Sequence, residues 1–154
     1  MRLLISACLL GEPCRYDGRS KPLPDAVLDR LLREHTLIPV CPEQLGGLPT
    51  PRTPSERQGD RVVMRNGTDV TAAYAKGARL ACALAAQTGA EAALLKARSP
   101  SCGCGAVYDG AFTGTLIPGD GVTAAALKSL GLPVYTEETF PLGSPFGGAV
   151  SEAD

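Results

Sequence analysis

The sequence predicts an α/β fold: an open, mostly parallel, Rossmann-like sheet of about four to five strands, with helices on both faces and a small β-hairpin insertion. Three observations carry that expectation. Short apolar runs at residues 3–5, 36–40, 91–95 and 132–135 alternate with helical patterns along most of the chain, the pattern of strand-helix-strand units. Asn66-Gly67 sits between two β-rich segments, the strongest short-range hairpin signal. The apolar runs empty into loops rich in Ser, Pro and Gly, as strands do at the carboxyl edge of a parallel sheet.

Each element follows from local chemistry. The first strand passes through Ser6-Ala7 to Cys8 and a loop of turn formers that reaches Gly18. Asp25 is a good helix cap, and Leu28, Leu31 and Leu32 keep helical spacing on one face down to about His35. In the second strand Pro39 removes a ladder donor, which favours an edge position. Pro42, Pro49, Pro51 and Pro54 then predict a stiff, ordered loop over residues 41–54. Residues 61–65 and 68–70 flank the Asn66-Gly67 turn as the hairpin strands, a ribbon placed to cover a site at the sheet edge. Thr71 is the expected cap of a helix running to about Thr88 and ended by Gly89, with Ala73, Gly77, Leu80 and Leu84 as its packing face. Residues 108–114 read as irregular, and Gly119-Asp120-Gly121 as the cap of a helix carrying Ala124, Leu127 and Leu130 that stops at Gly131. Beyond the fourth strand the periodicity ends, so 1–140 is expected to be one domain and 141–154 an irregular tail.

Composition narrows the function. The chain has 154 residues, 44% of them hydrophobic and 20% charged, enough to build one sizeable core. A net charge of −1 without basic runs argues against an electrostatic grip on nucleic acid, and no apolar stretch approaches a membrane span. No signal cleavage site follows Met1-Arg2, so a cytoplasmic protein is expected, a monomer or weak dimer, with its six cysteines as reduced thiols.

The chemistry concentrates at the strand ends. If the first three strands lie parallel in one sheet, Cys8, Cys41 and Cys102 meet at one edge although they are far apart in sequence. The third of them lies in Lys96-Ala97-Arg98-Ser99-Pro100-Ser101-Cys102-Gly103-Cys104-Gly105, the stretch around which the other motifs gather.

Four motifs, in order, resemble one family: Ser6-Ala7-Cys8-Leu9-Leu10-Gly11 with Cys14-Arg15-Tyr16-Asp17-Gly18, Pro39-Val40-Cys41-Pro42-Glu43 with Gly46-Gly47-Leu48-Pro49-Thr50-Pro51-Arg52, Lys96 to Gly103 as above, and Gly119-Asp120-Gly121-Val122-Thr123. It is the small bacterial family, long known as a domain of unknown function, that includes thiouracil desulfurase. The resemblance implies a [4Fe-4S] cluster held by three cysteines, with the fourth iron open to the sulfur of a small thiolated base. It places the ligands on Cys8, Cys41 and Cys102, the catalytic carboxylate on Glu43, and the catalytic serine within Ser99-Pro100-Ser101, with Ser99 preferred over Ser101. Cys104 lies outside the family's motif and competes with Cys102 to face the cluster.

General chemistry agrees with that assignment. Thiolates are the natural ligands of iron–sulfur cores, and three of them leave one iron with an open position. Glu43, two residues past Cys41, shares the cavity and is suited to proton transfer. Cys82, within Leu80-Ala81-Cys82-Ala83-Leu84, reads as a core thiol, Cys14 as a structural thiol beside the cluster, and His35 as a charge at a helix end. Arg15, Asp17 and Arg52 either contact a planar substrate or form local salt bridges. Two other functions compete with the enzyme: an iron–sulfur binding or electron-transfer module, and a zinc or thiol-redox protein. Zinc sites favour more widely spaced cysteine pairs with further ligands, and an electron carrier would close all four irons with cysteine.

Overall fold

A computed structural model describes residues 1–141; of the tail expected at 141–154, all but Pro141 lies outside the described residues. In chain order the elements are β1 (Arg2–Ser6), a 3-10 turn (Ala7–Leu10), α1 (Asp25–Glu34), β2 (Thr36–Val40), α2 (Pro42–Leu45), β3 (Ser55–Gln58), β4 (Arg61–Met64), α3 (Thr71–Thr88), β5 (Ala92–Leu95), β6 (Ala106–Tyr108), β7 (Leu116–Pro118), α4 (Val122–Ser129) and β8 (Val134–Thr136). Four strands form a parallel sheet in the order β2-β1-β5-β8, and two antiparallel ribbons, β3-β4 and β6-β7, stand outside it. This is the predicted architecture. Leu3 pairs with Leu37 on one side and Ala92 on the other, and Leu94 pairs with Tyr135.

The strand period of two divides the core. Leu3, Ile5, Ala92 and Leu94 face α1, where Val27, Leu31 and Phe140 complete one cluster. Leu4, Ala93 and Leu95 face the other way, onto Ala81 and Ala85 of α3 and Ala124 and Leu127 of α4. Leu3, Leu4 and Ile5 are all fully buried, as a central parallel strand requires. Each such side chain contributes about 1.5–3 kcal/mol by leaving water. β2, the strand with Pro39, is an edge strand as expected.

Several local expectations change. Asn66-Gly67 does turn the chain, with Gly67 N–H donating to Met64 O and Val63 bridging Asp69. The main partner of β4, however, is β3, within a segment of few β-formers. Residues 41–54 are not all loop, because Pro42 needs no hydrogen-bond acceptor in a first helical turn and so starts α2. The segment read as irregular at 108–114 connects the second ribbon, β6-β7. Asp25, Thr71 and Asp120 make no side-chain cap: Pro24, Val70 and Gly121 hold those positions. Asp120 instead accepts from Gly105 N–H and Lys128.

The face of α3 is the correction with most consequence. Tyr74, Gly77, Ala78, Ala81 and Ala85 are its buried residues; of the expected face Gly77 holds, Leu84 packs half-buried against the core and Ala73 meets α2 through its backbone, whereas Leu80 is exposed. Close approach decided the face rather than hydrophobic size. A Cβ at Gly77 would overlap Pro42 O, and one at Gly46 would overlap Ala73 O, so the backbones of α2 and α3 touch at two glycines. Gly77→Ala must push α2 away, and it is expected to cost about 3 kcal/mol by overpacking. Urea denaturation of the pure variant measures it; an unchanged midpoint would refute the contact.

Candidate active site

A cavity of about 380 Å³ opens at the carboxyl ends of β1, β2 and β5, the size of a small-molecule site. Cys8, Cys14, Cys41 and Cys102 all line it. Cys8 rides the 3-10 turn after β1, which Gly11 closes at φ 101° with its N–H on Ala7 O and Cys8 O. Cys41 directly follows β2 as the cap residue of α2. Cys102 is set by a turn in which Ser99 Oγ accepts the N–H groups of Ser101 and Cys102, each at 3.1 Å, and Gly103 N–H donates to Ser99 O. A Cβ at Gly103 would crowd Ser99 O at 2.7 Å, so glycine is required there. Cys14 comes from the loop after the 3-10 turn, and its carbonyl accepts from the Arg52 guanidinium at 3.0 Å.

The thiols are close enough to perturb one another. Cys14 hydrogen-bonds with both Cys41 and Cys8: the Cys41 contact lowers its pKa, but the Cys8 contact and burial outweigh that and push it up to about 11. The hydrogen bond to Cys14, then burial, raises Cys41 well above the ordinary thiol range. Burial alone is the main reason that Cys102 stands at about 12, opposed by contacts with the Ser6 and Ser101 hydroxyls. Such a group resists accumulating negative charge unless a cationic centre compensates it, as metal binding does.

Glu43 projects from α2 into the same space. Its Oε1 accepts from Tyr74 Oη at 2.8 Å and from Arg52 Nε at 3.0 Å. Arg52 is itself fixed, donating to Pro49 O, Thr50 Oγ1 and Cys14 O. Burial, then the Glu43 charge and hydrogen bond, hold the Tyr74 phenol well above its usual range. Tyr74 therefore stays a donor.

The loop after β5 is clasped by Glu137, which is 4% exposed. Its two oxygens accept from Lys96 Nζ and from Ala97 N–H, each at 2.7 Å. Arg98 holds a left-handed φ of 69° and pairs with Glu138, a conformation that costs a non-glycine residue about 1 kcal/mol or more. Ser6 Oγ accepts Lys96 N–H and ties the ends of β1 and β5 together. The outer walls come from the ribbons and loops: Glu56 of β3 accepts from Gly110 and Phe112 N–H, and Arg65, Tyr108, Phe112 and Tyr16 line the cavity. On the walls Arg52, Lys96 and Arg98 are paired with Glu43, Glu137 and Glu138, so Arg15 and Arg65, against Glu56, leave the cavity a modest positive excess.

With this geometry, the family is decided by the match of the 2-thiouracil desulfurase model to residues 3–139. The chain belongs to the 2-thiouracil desulfurase family. It is 41% identical over 145 residues to the uncharacterized protein YbbK of Bacillus subtilis (strain 168), covering 88% of this chain and 95% of that one. A solved structure named as the [4Fe-4S]-dependent thiouracil desulfidase TudS superposes with a TM-score of 0.87 at 48% identity, over 91% of this chain and 93% of that chain.

The expected site residues of this 2-thiouracil desulfurase family member separate clearly. Cys8, Cys41, Cys102, Glu43 and Ser99 line one cavity. Ser101 is buried outside the cavity lining, 2.9 Å from Thr123 Oγ1 and in contact with the Cys102 thiol. Cys104 turns its thiol to Val134 O at 3.5 Å, away from the lining. Asp17 accepts from Arg19 N–H in its own loop, and Arg52 has joined the site through Glu43. His35 sits at the opposite strand ends, beside the Met1 amino group. Among the described residues no three His, Cys, Asp or Glu side chains form a ready-made site for a single ion, although the Cys14 thiol meets those of both Cys8 and Cys41. Soft thiol donors around a cavity of this size fit the [4Fe-4S] core for which the TudS structure is named. Tyr74, Lys96, Glu56 and Glu137 were not assigned from sequence. Tyr74 carried one signal: a bulky phenol among Ala73, Gly77 and Ala78.

Glu137→Ala removes the partner of a half-buried ammonium and the acceptor of a buried N–H together. It is expected to destabilise the protein by about 3 kcal/mol. Chemical denaturation tests it, and a loss below about 1 kcal/mol would show that the clasp does not hold the loop.

Proposed function

We propose that this chain is a [4Fe-4S]-dependent, non-redox desulfidase acting on a thiolated nucleobase such as thiouracil, with Cys8, Cys41 and Cys102 as ligands. The observation that carries the reading is that three neighbouring strands deliver these thiols to one cavity that also holds Glu43. When bound, a cluster held by three thiolates supplies an iron without a protein ligand, a Lewis acid for the substrate's sulfur. The net reaction adds water to a thiocarbonyl and releases hydrogen sulfide, leaving a carbonyl. The chain's own residues bind, orient and move protons. Tyr16, Tyr108 and Phe112 offer aromatic surface to a planar base. Glu43 takes a proton from the attacking water and returns it as the C–S bond breaks, while the Ser99 hydroxyl orients the water. The modest positive excess of the walls offsets part of the charge of the cluster and of the departing sulfide.

Anaerobic reconstitution with iron and sulfide tests the ligand set. Cys8→Ser, Cys41→Ser and Cys102→Ser are each expected to lose the cluster, whereas Cys82→Ser and Cys14→Ser retain it. Full iron in one of the first three would remove that residue, and loss in Cys14→Ser would put Cys14 in its place.

The catalytic roles are tested on loaded protein. Glu43→Gln should keep its iron and lose about 10²-fold or more in sulfide release from a thiolated pyrimidine. Ser99→Ala is expected to lose more activity than Ser101→Ala. Unchanged turnover in Glu43→Gln would end the acid–base reading, and absence of turnover by loaded wild-type protein would favour the binding module.

A further inference from the structure

The two donors to Glu43 share one oxygen. Tyr74 Oη and Arg52 Nε both reach Oε1, and no described residue donates to Oε2. A bare carboxylate on a short helix swings about its side-chain torsions, whereas one pinned at a single oxygen presents the other in a fixed direction. Tyr74 is suited to the pinning. It is 2% exposed, its phenol also meets the Ser55 hydroxyl, and α3 is locked against α2 by the Gly46 and Gly77 backbone contacts. Its ring packs with Val62 and Val70, so packing alone accounts for an aromatic here. Packing does not account for a hydroxyl aimed at the only acidic side chain of α2.

We propose that Tyr74 is a positioning residue for desulfuration: with Arg52 it fixes Glu43 through Oε1, so that Oε2 is the atom that carries the proton. This rests on the role proposed for Glu43. Arg52, anchored on Pro49, Thr50 and Cys14, supplies the charge partner, and Tyr74, carried on α3, supplies a second donor from another direction.

Tyr74→Phe keeps the ring and removes the donor. Loaded Tyr74→Phe should match wild type in iron content, melt a few degrees lower for the lost buried hydrogen bond, hold KM within about twofold, and lose roughly 10- to 100-fold in kcat, the factor a charge-assisted hydrogen bond is worth. In a Glu43→Gln background the same change should cost nothing further, since it acts through the missing carboxylate. In iron-free protein, the infrared carboxylate band assigned to Glu43 by difference from Glu43→Gln should move in Tyr74→Phe. An unmoved band, an unchanged kcat, or an equal loss in both backgrounds would overturn the proposal and leave Tyr74 as a packing residue. A slow Glu43→Gln with a normal Tyr74→Phe overturns this proposal alone, whereas a normal Glu43→Gln overturns both readings.

Discussion

The level alignment of β2, β1 and β5 is the constraint on which the site depends. Arg2 pairs with Thr36 and Leu3 with Ala92, so the three strands end side by side at Ser6, Val40 and Leu95. A slip of one residue in β1 would exchange Leu4 with Leu3 and Ile5 between the two core clusters, which differ in shape and partners. The apolar alternation that fixes the fold therefore also fixes the height at which each cysteine enters the cavity. Cys41 follows its strand at once and Cys8 follows within a 3-10 turn. Cys102 arrives after a longer loop, and that loop is correspondingly the most heavily tied, by Ser6, Glu137 and the Ser99 hydroxyl.

A second constraint acts across the helices. Because Gly46 and Gly77 let α2 and α3 touch backbone to backbone, Glu43 and Tyr74 come within hydrogen-bond reach even though neither helix enters the sheet. Small residues serve function here by setting distance. The same contact explains why apolar size misplaced Leu80, which is exposed, on the buried face of α3: helix periodicity records which residues share a side, not how near the partner lies.

The parallel sheet, the edge position of Pro39, and the gathering of three cysteines were legible because strand period, turn chemistry and the carboxyl-edge rule all act locally or through simple topology. The ribbons were less so. Ser55–Gln58 has none of the β-branched or aromatic residues that mark a strand, and it is held by pairing with Val62 and Val63 and by the Glu56 contacts to a distant loop. Residues 108–114, with Gly110 and Gly114, resemble a loop and hide the three-residue strands on either side. Within the site, motif positions located Cys8, Cys41, Cys102, Glu43 and Ser99, but the pairings of Glu43 with Tyr74 and of Lys96 with Glu137 join residues far apart in sequence. One sequence without its fold holds no record of such pairs.

The placement of the two ribbons has a consequence for how this fold diverges. Neither β3-β4 nor β6-β7 pairs with the parallel sheet, yet Glu56 stitches one to the loop of the other, and that joint forms the outer wall of the cavity. The thiols, by contrast, hang from the sheet and its first turns. Insertions or exchanges in the ribbons can reshape what the cavity admits without shifting strand register. The thiol-bearing end and the outer wall of the cavity thus belong to separate parts of the fold, and one can change while the other is kept.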